Sequence, residues 1–352
     1  MVKKLAIPVL ALAVILAFGV AGCSGEGSPP PAELIPEGAN LIASIELGKI
    51  LEDADLRGAY DETAKEADMP ATFEEALQEL EEETGIDLNR LSRGWLFMDM
   101  SRLEGFAPYL GIIVEGSFDE GELVATIEEA GEEFATTEYK GYRIYILDEE
   151  DGEGFAFLDG GVLVVGSMDA VEDVIDVAEG DRPSVSGEAY DLYTELGEPL
   201  IKIAVELSPG LRQQVEQQMA EASQWITDKL PPELSELITG GLTLALPSLF
   251  TSFADMSGAG LALDKKGEAV TIRLKAGFTN PDSAQSVADM VMALKLGSAL
   301  LMPIEEVGDL VGQIEVSVEG SSASITLEVS VSQIEDLIQA LRAFEELPVP
   351  TP

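Results

Sequence analysis

One cysteine, Cys23, and 66 Asp and Glu set against 20 Lys and Arg are what this chain offers for chemistry, and it contains no histidine at all. Without histidine or a second thiol there is no Ser-His-Asp or Cys-His nucleophile, no imidazole general base and no ordinary zinc, copper or haem site. The residue types still permit a carboxylate pair, a Ser-Lys dyad or an all-oxygen Ca²⁺ or Mg²⁺ site. The densest oxygen cluster is Asp148-Glu149-Glu150-Asp151-Gly152-Glu153. Asp148, Glu150, Asp151 and Glu153 are its candidate Ca²⁺ ligands, but they lack the ordered spacing of an EF-hand, and a solvated hairpin turn explains them better.

Cys23 has a more specific context. Lys3 and Lys4 precede an uncharged apolar run from Leu5 to Val20, which closes on Val20-Ala21-Gly22-Cys23. The run is short for a permanent span and suits a signal segment. Its last four residues resemble the bacterial lipobox, in which Val20, Ala21 and Gly22 fit the signal peptidase and the cysteine sulfur takes a diacylglycerol before cleavage. Cys23 would then open the mature chain and hold it to a membrane, firmly once two or three acyl chains are attached. Ser24 to Pro31, rich in Ser, Gly and Pro, cannot pack and serves as a tether.

The formal net charge is −46, and loss of residues 1 to 23 removes two lysines and no acid. A surface this negative repels nucleic acid and anionic headgroups, which excludes nucleic-acid binding. The excess acid reads as solubility or a saline habitat in which acidic surfaces stay hydrated, with divalent-cation binding or a basic partner as the alternative. Divalent cations are a partner that no motif supports, because the acids spread along helices. With 46% hydrophobic but 6% aromatic residues, the chain has enough apolar mass for a core, built from aliphatic side chains.

Periodicity orders the elements that must carry these groups. Asn40 to Leu47 alternates as a strand, and Thr72 to Thr84 puts Phe73, Ala76, Leu77 and Leu80 on one helical face, with Gly85 as its cap. Trp95 to Met100 and Tyr109 to Gly116 read as strands, Phe118 to Phe134 as a helix opened by Asp119, and Tyr139 to Leu147 as one strand. Phe155 to Leu158 and Gly161 to Ser167 form a hairpin closed at Asp159-Gly160, followed by a helix over Ala170 to Ala178. Leu211 to Leu230 has the spacing of an amphipathic helix ended by Pro231-Pro232, and the apolar stretch Leu234 to Phe253 follows. Gly258 to Leu263 and Ala269 to Ala276 are strands, a long apolar helix spans Pro281 to Leu301, Gln313 to Val318 pairs with Ala323 to Val329, and Gln333 to Phe344 is a last helix.

The two halves match internally. Gly116-Ser117-Phe118 corresponds to Gly277-Phe278-Thr279, and Ser167 with Val171-Glu172-Asp173-Val174-Ile175 corresponds to Ser330 with Ile334-Glu335-Asp336-Leu337-Ile338. A duplication follows.

Five landmarks carry a resemblance: Leu34-Ile35-Pro36-Glu37-Gly38-Ala39, Thr84-Gly85-Ile86-Asp87-Leu88 before Trp95, Tyr139-Lys140-Gly141-Tyr142, Val164-Val165-Gly166-Ser167 leading into Ala170-Val171, and Ser184 with Ala189-Tyr190. They resemble those of an uncharacterised domain-of-unknown-function family of exported, often lipid-anchored bacterial proteins. The resemblance implies a fold and an extracytoplasmic address, and it brings no active-site residue.

The expected architecture is α+β: two related ββαββ(β)α units with antiparallel sheets and helices packed on one face, joined by a helical middle section. Residues 1–22 are the signal, 23–33 the lipidated cysteine and tether, 34–200 the first unit, 201–256 the connecting section, 257–346 the second unit and 347–352 a disordered tail. The expected role is that of a non-enzymatic binding or scaffolding module, with no cofactor, lipid-anchored to the cell membrane and facing the cell surface or periplasm. Its partners would be the membrane and an envelope protein. Two alternatives are a carrier of a lipid or other apolar ligand in a cavity between the units, helped by the methionine-containing stretch Val287 to Met302, and a carboxylate-based hydrolase.

Overall fold

Short runs of alternating or continuous Val, Ile, Leu and Phe dominate the chain after residue 40, and in the computed structural model they become strands. The structure describes residues 31–64, 70, 72–84, 87–102, 108–129, 134–148, 152–159, 161–213, 255–301 and 305–333. These fall into two compact units, one ending at Tyr190 and taking in Leu200–Ile203, the other comprising Asp191–Pro199 and the chain from Ala204 onward.

In the first unit the strands are β1 (Leu41–Ile45), β2 (Leu91–Met98), β3 (Leu110–Gly116), β4 (Ala135–Tyr139), β5 (Tyr142–Asp148), β6 (Glu153–Leu158) and β7 (Val162–Ser167). They lie in the order β1-β2-β3-β7-β6-β5-β4, and every neighbouring pair is antiparallel. The helices are α1 (Leu47–Glu52), α2 (Ala54–Ala64), α3 (Phe73–Thr84), α4 (Glu120–Glu129) and α5 (Met168–Ala178), while α6 (Glu188–Glu195) begins in this unit and passes at Asp191 into the other. The antiparallel α+β fold is as expected.

The helices, however, occupy both faces of this sheet and not one. Successive strand residues point to opposite faces, so the consecutive burial of Ile112, Ile113 and Val114 in β3, and of Val162, Leu163 and Val164 in β7, requires cover on both sides. One face sets Leu91, Ile112 and Val114 against Ile50, Leu51 and Phe73 of α1 and α3. Farther along it, Tyr145, Phe155 and Leu163 pack on Leu123 of α4, with the Tyr145 and Phe155 rings stacked 4.7 Å apart. The opposite face receives α5, which packs against β3, β6 and β7 and leaves Ala170, Val171, Val174 and Ile175 with no exposed surface. Each buried Val or Ile contributes roughly 1.5–3 kcal/mol over leaving it in water, so this stripe holds α5 in place.

A row of glycines lets the strands and this face close up. Gly111, Gly166 and Gly154 are direct partners across β3, β7 and β6. The fully buried ring of Phe97 lies over Gly111, where an added Cβ would sit 2.2 Å from the ring. At Gly166 (φ 157°) a Cβ would meet the Leu110 carbonyl oxygen at 2.3 Å, a main-chain atom that cannot swing away.

The second unit contains β9 (Met256–Lys266), β10 (Ala269–Phe278), α7 (Pro281–Leu301), α8 (Glu305–Gln313), β11 (Glu315–Glu319) and β12 (Ser322–Ser330), in the order β9-β10-β12-β11. That is the order of β2-β3-β7-β6, and the paired landmarks Ser167 and Ser330 end the equivalent strands β7 and β12. Ser330 and Gln333 bond reciprocally, side chain to main-chain N–H in both directions, which is a capping box at the start of the next helical turn. Its core sets Leu207, Met256 and Phe278 against Ala284 of α7 and Ala323 of β12. By register, Val270, Ile272, Leu274 and Ala276 share one face of β10, and Thr271, Arg273 and Lys275 share the other.

Several boundaries differ from expectation. The single strand over Tyr139 to Leu147 is two, because Lys140 (φ 49°) and Gly141 (φ 91°) turn the chain as a tight hairpin between β4 and β5. The connecting section does not begin as helix: Ile201–Glu206 is strand β8. Helix α8 was not anticipated. The continuation of Leu211 to Leu230 beyond residue 213, Leu234 to Phe253, Ile334 to Phe344, the tail 347–352, Gly85 and Gly160 lie outside the described residues.

Replacing Gly166 by alanine should cost about 2 kcal/mol or more, since strain of this kind in a packed interior typically costs 1–3 kcal/mol. Urea unfolding of Gly166→Ala monitored by circular dichroism checks this, and an unchanged midpoint would contradict the close approach of β3 and β7.

Candidate functional site

Most of the residues singled out for chemistry lie outside the described residues. Val20, Ala21, Gly22 and Cys23 precede the described residues. Of the acidic loop, Asp148 ends β5 and Glu153 begins β6 as its cross-strand partner, while Glu150 and Asp151 lie outside the described residues. Among the described residues no three His, Cys, Asp or Glu side chains come together as a metal site, and no helix there is long and apolar enough to cross a membrane.

What the fold does assemble is a polar edge along α5. Its buried stripe turns Asp169, Glu172, Asp173, Asp176 and Glu179 away from the core, more acid than nearby cations can match. Tyrosine hydroxyls make up the difference. Tyr109 donates to Asp173 at 2.7 Å, Tyr139 to Asp176 at 3.0 Å and Tyr142 to Glu179 at 2.9 Å. The β4–β5 turn delivers the last two and places Lys140 between Asp176 (2.5 Å) and Asp181 (2.7 Å). Arg182 bonds Asp173 and reaches the Glu37 carbonyl at 3.4 Å. Arg102 lies 5.0 Å above the Tyr109 ring.

This electrostatic arrangement has clear directions. Burial, then the bond to Asp173, pushes the Tyr109 hydroxyl far above its ordinary value, so it stays a donor. Lys140 is raised by its bonds to Asp176 and Asp181. Asp176 is held below the usual carboxylate range chiefly by Lys140. Glu172 goes the other way, raised by burial and by Asp169, Asp176 and Asp173. The bonds from Tyr109, Tyr139, Tyr142, Lys140 and Arg182 brace α5 along this edge. The resemblance landmarks fall on the same framework. Tyr139-Lys140-Gly141-Tyr142 is the clasp turn, and Ile35 to Glu37 bonds along Pro183 to Val185 next to Arg182.

The second unit has a different feature, a cavity of about 300 Å³ on the Arg273 face of β9 and β10. Leu196, Gly197, Glu198, Pro199, Ala262, Asp264, Lys266, Thr271 and Arg273 line it. Sequence reasoning missed this feature. Its one visible trace was the cluster Lys265, Lys266, Arg273 and Lys275 in a chain otherwise poor in cations.

No protein-family model matches the chain, and no curated protein matches it. Among solved structures, crystal form I of TP0453 is similar at 11% identity and a TM-score of 0.42, over 90% of this chain and 99% of that one. Crystal form IV of TP0453 gives 8% identity and a TM-score of 0.43, over 89% and 97%.

Asp176→Asn should destabilise the protein by about 1 kcal/mol at pH 7, the usual worth of such a bond. Because the folded carboxyl titrates below its unfolded value near 4, its contribution is complete above that value and is lost as pH falls through the folded one. The difference between variant and wild type should therefore vanish toward pH 2 in urea titrations. Glu172→Gln should raise the melting temperature at pH 7 by ~1–2 °C, since its folded value is elevated and its charge opposes folding once ionised.

Proposed function

We propose that the chain is an exported, lipid-anchored, non-enzymatic binding module of the cell envelope, similar in address to the domain-of-unknown-function family that its landmarks resemble. The observation that carries the reading is the order of its N-terminal segment: charged start, apolar run, Val20-Ala21-Gly22-Cys23, then the Ser24 to Pro31 tether. Support comes from where the tether meets the body. Leu34 and Ile35 are buried within a few residues of its end, so the anchor connects to the core through a short spacer. A non-enzymatic role is supported by the absence of histidine and of a second thiol and by the way the α5 carboxylates are committed to tyrosine and cation partners. The second unit's cavity, with Glu198, Asp264, Lys266 and Arg273 in its wall, is polar. That favours recognition of a charged group over carriage of an apolar ligand.

Metabolic labelling with an alkyne fatty acid tests the anchor. The wild-type chain should take up label and run at the mature size, whereas Cys23→Ala should stay unlabelled as the longer precursor. An unlabelled wild type, or equal labelling of the variant, would overturn the reading.

A further inference from the structure

Resting on the reading of the body as a binding module, we infer that the second unit's cavity binds a small zwitterion, with its carboxylate on Arg273 and its cationic group toward Asp264.

Arg273 carries the inference. Lys140 and Arg182 each hold carboxylates, and Lys275, on the same face of β10, pairs with Glu195 at 2.5 Å. Arg273 instead donates from Nη1 to the Leu196 main-chain carbonyl at 3.2 Å. Among the described residues no carboxylate is paired with this half-buried guanidinium, although the chain has 66 of them. The single main-chain bond fixes the planar fork at the cavity wall and leaves its other N–H groups for a ligand. A guanidinium fork suits a carboxylate, which it can engage through two parallel bonds. Thr271, two residues before it on the same face, adds a hydroxyl to the lining.

The rest of the lining selects among anions. Lys266 sits at the exposed end, only loosely paired with Asp264 at 3.6 Å. Asp264 and Glu198 bring the charged lining to two cations and two carboxylates. A dianionic phosphate entering beside two carboxylates meets like charge at close range, which costs affinity. A molecule carrying one carboxylate and one ammonium suits a lining that carries both signs. The volume, about 300 Å³, is at the small end of ligand sites, the size for a free amino acid or a betaine and not for a lipid or a nucleotide. The walls come from β9, β10 and the Leu196–Pro199 turn, whose Gly197 has φ +78° and so bends where an ordinary side chain would be strained.

The test is isothermal titration calorimetry of the full chain in detergent against the twenty L-amino acids, glycine betaine, acetate and inorganic phosphate. At least one zwitterion should bind with a Kd below about 1 mM and more tightly than either acetate or phosphate. Arg273→Gln, which keeps a donor for the Leu196 carbonyl, should weaken that binding at least tenfold, and Asp264→Asn should weaken zwitterions while sparing acetate. The melting temperature of each ligand-free variant should stay within ~2 °C of wild type, which separates lost binding from lost folding. Absence of zwitterion binding anywhere in the panel, tighter binding of phosphate, or equal affinity in Arg273→Gln would each overturn the inference. Calorimetry does not depend on acylation, so failure here would leave the anchor standing, and failed labelling would leave the site standing.

Discussion

Sixty-six acids share twenty cations in this chain, and the rest of the structure is arranged around that shortage. A carboxylate that is not left in water needs a donor, and when cations run out the donors must be neutral. The α5 edge is the clearest result. Tyrosine hydroxyls bond Asp173 and Asp176 beside Arg182 and Lys140, and another bonds Glu179, and cations such as Lys140 serve more than one partner. Lys140 spans Asp176 and Asp181, while Glu46 gathers both Lys49 and Arg93. Against that economy, an arginine that lines a cavity and, among the described residues, hydrogen-bonds to a main-chain carbonyl without a paired carboxylate is an exception that needs a reason.

The same shortage shapes the core. The faces turned inward are mainly aliphatic, with Phe73, Phe97, Tyr145 and Phe155 among them, and the first sheet is covered on both sides. Glycines at 111, 154 and 166 allow β3, β7 and β6 to carry the Phe97 ring and α5 without strain. No buried polar side-chain atom among the described residues lacks a hydrogen-bond partner. Tyr109, almost wholly buried and donating to Asp173, shows how a polar group can be accommodated under a helix at little cost.

Much of this was legible in the sequence. Alternation located β1, β2, β3, β7, β9, β10 and β12, and the helix read over Ala170 to Ala178 is α5, whose Val171, Val174 and Ile175 are buried. The strand order shared by the two units agrees with residue matches read from sequence alone. Other features were hidden for physical reasons. β8 reverses the usual code: Lys202 and Ala204 are buried while Ile203 is exposed. The β4–β5 turn uses Lys-Gly where Asn-Gly or Asp-Gly would have announced a hairpin. The tyrosine clasp joins residues 37 to 64 positions apart, and the cavity exists only where the Leu196 turn meets β9 and β10. Neither leaves a local pattern to read.

Function follows from position as much as from chemistry. Under the proposed reading, a short spacer from a lipidated Cys23 would hold this body at a membrane as a recognition surface. Mass spectrometry of the N-terminal peptide from the native membrane fraction tests this most directly. The account predicts a chain that begins at Cys23 with a diacylglycerol on its sulfur. A chain beginning elsewhere, or at an unmodified Cys23, would contradict it.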